Sequence, residues 1–104
     1  MIRIIENTKY HKFICVASLW EIAIKSSLGK LNMRLSFDEL VDVIEDSELS
    51  ILPIKNDYLK ELLKLPFIHR DPFDRLILVT AMVEGLTIMT ADRDIQKYDV
   101  PWIW

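Results

Sequence analysis

The chain has 104 residues, 51% hydrophobic and 28% charged, which is the composition of a globular domain and excludes a disordered tail. Its 13 basic and 16 acidic residues give a net charge of −3, which argues against binding nucleic acid through one broad basic face but not against a local site. No apolar run approaches the roughly 20 residues that span a membrane, and residues 1–12 lack a signal-peptide pattern. We therefore expect one domain over residues 1–104, located in the cytoplasm.

The first clear elements are a strand and the helix that follows it. Residues 12–17 form a short apolar run that predicts a buried strand. The run holds the only cysteine, Cys15, which we expect to behave as a small buried hydrophobe in a reducing compartment. Ser18 and Glu21 have the spacing of a capping box, which predicts a helix over residues 18–28.

The remaining elements continue this alternation of strand and helix. Asp71 followed by Pro72 is a typical helix start, and Gly85 stands where a left-handed residue ends that helix. In chain order, the other predicted elements are a helix over 36–45, a strand over 49–54, a helix over 56–64, the helix over 71–84, a strand over 86–90, a turn and short helix over 91–98, and a strand over 102–104. Alternation of this kind predicts a parallel sheet with helices on its faces, hence one α/β domain.

Three acidic residues occupy places where such a sheet binds ligands, beyond the carboxyl ends of its strands. Glu21 follows the first predicted strand, Asp92 follows the strand over 86–90, and Asp74 lies in the first turn of the helix that Asp71 opens. Because these helix starts share one edge of the sheet, the carboxylates could converge. Three hard oxygen ligands suit Mg²⁺ or Mn²⁺ rather than zinc, and such an ion can activate water against a phosphodiester.

Each of these acids also has a purely structural interpretation. Glu21 and Asp74 fall at the third position of predicted helices, where capping and dipole effects are worth about 0.3–1 kcal/mol. Glu21 can also pair with Lys25, four residues later on the same helix. Asp92 can satisfy the turn after its strand through its own side chain.

Other polar and aromatic residues near these acids have competing interpretations. We expect His69 to be a hydrogen-bonding loop residue rather than a metal ligand, and Trp102 and Trp104 to cap the core. Three arginines could hold phosphates near the acids or remain solvated at the surface: Arg70, Arg75 and Arg93.

Three blocks of the chain resemble the PIN-domain family, and specifically its VapC-type toxins. They are residues 17–31 (ASLWEIAIKSSLGKL), residues 65–77 (LPFIHRDPFDRLI), and residues 86–92 together with 98–104. The resemblance implies a PIN-like three-layer α/β fold with a parallel sheet. It also implies an endoribonuclease that depends on Mg²⁺ or Mn²⁺, cleaves RNA, and is paired with a cognate antitoxin.

The resemblance also assigns candidate site residues. Glu21, Asp74 and Asp92 fall on the second, third and fourth acidic positions of the family's catalytic, metal-binding site. Asp71 and Asp94 are neighbours of these positions. The resemblance therefore implies that Glu21, Asp74 and Asp92 are both the metal ligands and the catalytic residues.

The chain departs from the family pattern at its beginning. The family's first aspartate lies on a central strand, but nothing before Lys12 resembles that block, and residues 1–9 look like the end of the helix that follows it. We therefore expect an N-terminally truncated domain whose neighbouring strands close up or pair with another chain, since buried backbone groups need partners. Exposed sheet edges also predict a homodimer. Two functions remain open: a toxin-type ribonuclease, or an inactive remnant that acts as an interaction or structural module.

Overall fold

The computed structural model describes residues 4–6, 11–31 and 34–104, which form a five-stranded sheet and five helices. In chain order the elements are β1 (Ile4–Glu6), β2 (Lys12–Cys15), α1 (Val16–Ser27), α2 (Phe37–Glu45), β3 (Ser50–Leu52), α3 (Asn56–Leu62), α4 (Pro72–Glu84), β4 (Thr87–Met89), α5 (Arg93–Gln96) and β5 (Trp102–Ile103). The predicted α/β class is confirmed. No helix in these ranges is long and apolar enough to cross a membrane.

The sheet has the strand order β3-β2-β1-β4-β5, and its central strand β1 runs in the opposite direction to the other four. The outer pairs β2–β3 and β4–β5 are parallel, as predicted, but β1 runs antiparallel to both β2 and β4. The predicted parallel sheet is therefore confirmed for the two outer pairs, and only the central strand departs from it. The helical interpretation of the first nine residues is wrong for residues 4–6, because β-branched Ile4 and Ile5 favour a strand and Ile5 is fully buried.

The direction of β1 decides which of its residues lies near the ends of its neighbours. Ile4 pairs with Ile14 and Met89, close to the points where β2 and β4 lead into their helices. Glu6 pairs with Lys12 and Thr87, at the opposite edge of the sheet. The one acidic residue of β1 therefore lies away from the edge where α1 and α5 begin. This chain itself fills the central position of the sheet, so the neighbouring strands neither close up nor need another chain there.

The core is built around α4, whose residues 75–81 are all buried. Apolar side chains from β1, β4 and α5 join it, including Ile5, Ile88 and Ile95. The thiol of Cys15 lies in the same cluster, and this burial raises its pKa to about 12. The prediction that Cys15 is a buried small hydrophobe is thus confirmed.

Helix boundaries agree with the local signals except at α1. The Ser36 hydroxyl accepts the N–H of Glu39 at 3.1 Å, as a capping box requires. α1 instead begins at Val16, directly after β2, and its cap residue Cys15 makes no side-chain cap bond. Ser18 lies buried inside this helix, and its hydroxyl has no partner among the described residues. The predicted cap at Ser18 is therefore wrong, because the strand runs into the helix without a turn.

Two predictions concern the second half of the chain. Gly85 ends α4 in the left-handed region with φ 68°, as predicted, a conformation that costs glycine little. Trp102 and Trp104, expected to cap the core, are instead exposed. β5 is an edge strand, and its residues Trp102 and Ile103 both remain exposed to solvent.

Candidate active site

Two of the predicted acids meet a histidine at the carboxyl edge of the sheet. The Nε2 atom of His69 lies 3.1 Å from Oδ2 of Asp92 and 3.4 Å from Oδ2 of Asp74. One ligand-type atom from each of the three residues lies within 4.8 Å of the others. All three side chains are partly buried, and Asp92 is the most accessible at 27%. We refer to these three residues as the acid–histidine cluster.

The start of α4 fixes Asp74. The Asp71 carboxylate accepts the backbone N–H groups of Phe73 and Asp74 at 2.8 and 3.1 Å, as its position before Pro72 predicts. Asp74 is thereby the third residue of the helix, as expected. Phe73 also contacts Trp20 of α1 edge-on, with ring centroids 5.0 Å apart. This contact holds α1 beside the start of α4.

The turn before α5 fixes Asp92. Its Oδ1 atom accepts the N–H groups of Asp94 and Ile95 at 2.9 and 3.3 Å, which caps the helix. Its own N–H donates to the buried Thr90 hydroxyl at 3.0 Å. The cap uses Oδ1 and leaves Oδ2 directed at His69. The structural and the functional interpretations of Asp92 are therefore compatible, since each uses a different oxygen.

The surroundings of Asp92 favour its ionised form. Burial alone would raise the pKa of this carboxyl. The hydrogen bond from His69 and those from the N–H groups of Ile95 and Asp94 outweigh burial, so the pKa lies below its ordinary value of 3.8. Asp92 is therefore charged at neutral pH.

Two buried side chains hold the loop that carries His69. The Tyr98 hydroxyl accepts the N–H groups of Ile68 and His69 at 3.0 and 2.7 Å. The Arg75 guanidinium donates to three carbonyl oxygens of this loop, at Leu65, Pro66 and His69. Arg75 was considered as a phosphate contact or a solvated residue, but it is buried and faces the loop. Arginine in a helix usually faces solvent, so nothing in the local sequence around Arg75 indicates this role.

Glu21 lies outside the acid–histidine cluster. It is the sixth residue of α1 rather than the third, is only 5% exposed, and its Oε2 lies 2.9 Å from Nζ of Lys25, as the helical spacing predicts. The pKa of Lys25 is raised by the hydrogen bond and charge of Glu21, and less by the charges of Asp71 and Asp74. Lys25 is thus within electrostatic range of Glu21 and of the two acids at the start of α4, Asp71 and Asp74. A ligand role for Glu21 stays a prediction.

The chemistry of the cluster fits a hard divalent cation. Asp74 and Asp92 present carboxylate oxygens close together at a partly accessible edge, and Mg²⁺ and Mn²⁺ prefer such ligands. His69 was expected to be a hydrogen-bonding loop residue, and it is one: both ring nitrogens have partners. The sequence did not predict that one of these partners would be an acid of the site.

Comparison with known proteins identifies the family. The family model described as the PIN domain matches residues 2–101, nearly the whole chain. Neither a curated protein nor a solved structure matches. PIN domains are generally nucleases and typically depend on a divalent cation, which agrees with the pair of carboxylates beside His69. The chain belongs to the PIN-domain family.

Proposed function

We propose that this PIN domain is a VapC-type toxin, an endoribonuclease that cleaves RNA with the help of Mg²⁺ or Mn²⁺. The observation that supports the proposal most strongly is the convergence of Asp74 and Asp92 at the carboxyl edge of the sheet. Asp74 and Asp92 would bind the cation directly. Glu21 is proposed as a third ligand, which requires it to leave its ion pair with Lys25.

The residues of the site divide the work between them. The cation, when bound, activates water and neutralises charge on the scissile phosphodiester. Asp74 and Asp92 hold it at the sheet edge, and the lowered pKa of Asp92 keeps that carboxylate charged. Arg70 and Arg93 are exposed to solvent and lie close in sequence to these acids. They can therefore attract the RNA backbone through charge alone.

Gel-resolved cleavage of structured RNAs, with and without EDTA, tests the proposal. We expect the chain to cleave RNA in Mg²⁺ and to lose this activity in EDTA. Asp74→Asn should lower the rate on the order of a hundredfold, because a displaced cation no longer aligns the reacting groups. Asp42→Asn is the matched control, since Asp42 is exposed on α2. Cleavage that survives EDTA, or is equal in both variants, would contradict the proposal.

A second function is favoured by one specific observation, the direction of β1. Glu6 lies at the edge of the sheet away from the acid–histidine cluster, so this strand contributes no carboxylate there. The alternative is therefore an inactive PIN domain that serves as an interaction module. It predicts background cleavage by a well-folded chain that still binds RNA weakly and in a salt-sensitive manner. Cleavage that requires Mg²⁺ and Asp74 would exclude it.

We also propose two protein partners, a cognate antitoxin and a second copy of this chain. Apolar side chains on α3 and the loop after it are exposed, namely Leu59, Leu63 and Phe67, and proteins usually cover such patches. We expect a symmetric dimer, and light scattering should report its doubled mass and a lower mass for Leu63→Lys. Co-purification with the product of an adjacent antitoxin gene tests the other partner.

A further inference from the structure

Hydrogen bonds at both ring nitrogens assign the proton of His69. Nδ1 lies 3.0 Å from the backbone nitrogen of Asp71, whose N–H can only donate. Nδ1 is therefore an acceptor, and the neutral ring carries its proton on Nε2. Nε2 is the atom that faces Oδ2 of Asp92 at 3.1 Å and Oδ2 of Asp74 at 3.4 Å. The Nε2–H group thus donates to Asp92 and lies beside the nearest carboxylate oxygen of Asp74.

We propose that His69 is a positioning residue of the cation site: its Nε2–H holds the carboxylates of Asp74 and Asp92 together, and its ring is not a ligand. This inference rests on the proposed function. Two carboxylates that converge without a cation repel each other, and a donor between them offsets that repulsion. Each carboxylate has four lone-pair positions, so it can accept this N–H and still bind a cation.

The backbone of His69 is held by residues close in sequence to the two acids. Arg75 of α4, next to Asp74, donates to the His69 carbonyl at 3.4 Å. Tyr98, shortly after α5, accepts the His69 N–H at 2.7 Å. The imidazole is only 14% exposed. The N–H group therefore has a fixed place relative to both acids, as a group must that prearranges ligands around a metal.

The same geometry disfavours the other role for histidine, direct ligation. To bind a cation through Nε2, the ring would need its proton on Nδ1. That proton would then face the N–H of Asp71 at a separation of 3.0 Å between the two nitrogens. Two donors would oppose each other, and the hydrogen bond that now fixes the ring would be lost.

Two substitutions separate the two hydrogen bonds of the ring. In His69→Gln the side-chain amide N–H reaches the place of Nε2 and keeps a donor for the carboxylates. In His69→Asn the shorter amide keeps an acceptor for the Asp71 N–H but does not reach the acids. We expect His69→Asn to weaken Mg²⁺ binding about tenfold or more in calorimetric titrations of the metal-free protein, since partners of metal ligands contribute this much. His69→Gln should remain close to the unsubstituted protein.

The opposite order would overturn the proposal. If His69→Asn binds normally and His69→Gln weakly, the ring merely anchors its loop. If His69→Asn binds Mg²⁺ more tightly, the ring competes with the cation. If the unsubstituted chain binds no Mg²⁺, the positioning role is wrong as well. A chain that shows the expected order but cleaves no RNA would leave the role of His69 intact and contradict the proposed ribonuclease instead.

Nitrogen NMR of the imidazole rings gives a readout that does not depend on cleavage. The chain has only two histidines, so the His69 signals are assigned by their loss in either variant. We expect the Nε2–H tautomer without metal, and we expect it to persist when Mg²⁺ is added. An Nδ1–H tautomer, or a coordination shift at Nε2 on adding Mg²⁺, would overturn the proposal.

Discussion

Two strand–helix corners flank the central strand, and they treat their acidic residues differently. At the first corner β2 runs directly into α1, so Glu21 comes in the second turn of the helix and pairs with Lys25 at 2.9 Å. At the second corner a short turn separates β4 from α5, so Asp92 is the helix cap. One oxygen of Asp92 caps the helix, and the other meets His69.

The difference shows that the length of the connection between strand and helix decides whether the acid caps the helix or lies within it. A carboxylate at a helix cap needs one oxygen for the backbone and can offer the other to a ligand. A carboxylate one turn further into the helix can instead form an ion pair with a lysine four residues later on the same helix. Both acids follow a strand that borders β1, so only their distance from the helix start separates them.

The largest effect that sharpens this comparison is expected from Asp92. Asp92→Asn removes a charged ligand but keeps an acceptor oxygen for the cap, so the fold should survive. We expect Mg²⁺-dependent RNA cleavage to fall on the order of a hundredfold. Circular dichroism checks the fold in parallel. Unchanged cleavage by a folded Asp92→Asn protein would remove this corner from the active site.

The next effect concerns Tyr98, whose hydroxyl holds the His69 loop. Tyr98→Phe removes the hydroxyl that accepts two backbone N–H groups, so we expect the free energy of unfolding to fall by about 1–3 kcal/mol. Mg²⁺ affinity should also fall, because the loop that fixes His69 loosens. Tyr58→Phe is the matched control: its buried hydroxyl bonds to Glu84, and its loss should lower stability without changing Mg²⁺ affinity. Equal Mg²⁺ affinities in both variants would show that the Tyr98 hydrogen bonds do not contribute to the cation site.

A smaller effect is expected at the first corner. Glu21→Gln removes a buried negative charge that is paired with Lys25. We expect Mg²⁺ affinity to fall by about tenfold or less, measured by calorimetry, because Glu21 must leave its ion pair with Lys25 to act as a ligand, which offsets part of its contribution. A loss of Mg²⁺ affinity as large as that of Asp92→Asn in the same titration would show that the two corners contribute equally and break the comparison, and no loss would exclude Glu21 as a ligand.

The smallest effect is the acid dependence of stability. The pKa of Asp92 is lower in the folded chain than its ordinary value of 3.8, so the folded state favours the ionised form. This contribution to stability is present above about pH 4 and is lost as the pH falls through the lowered pKa. Asp92→Asn lacks it. Denaturant unfolding should therefore show a gap between the two proteins that narrows in acid, and a constant gap would contradict the assignment.

Local chemistry made much of the fold predictable from the sequence. The cap at Ser36, the Asp71-Pro72 helix start and the end of α4 at Gly85 depend on a few neighbouring residues, and all are confirmed. The positions of Asp74 and Asp92 follow from such local signals too. Their proximity follows from the general rule that ligands meet at the carboxyl ends of strands.

Features that depend on distant residues were not predictable in this way. The direction of β1 depends on its pairing with β4, near the other end of the chain, and no local pattern in Ile4 and Ile5 encodes it. The burial of Arg75 depends on three carbonyl oxygens of a folded loop. The position of Glu21 in its helix depends on where α1 begins, which the predicted cap at Ser18 placed three residues too late.

The antiparallel central strand also has a consequence for the order of folding. β1 and β2 are close in the sequence, so their pairing closes a short loop at little entropic cost and can form early. The pairing of β1 with β4 joins strands that are distant in the sequence, so we expect it to form later. Asp92 follows β4, which pairs with β1 on the side opposite to β2. We therefore expect the β4–β5 half of the sheet, and with it the acid–histidine cluster, to form last.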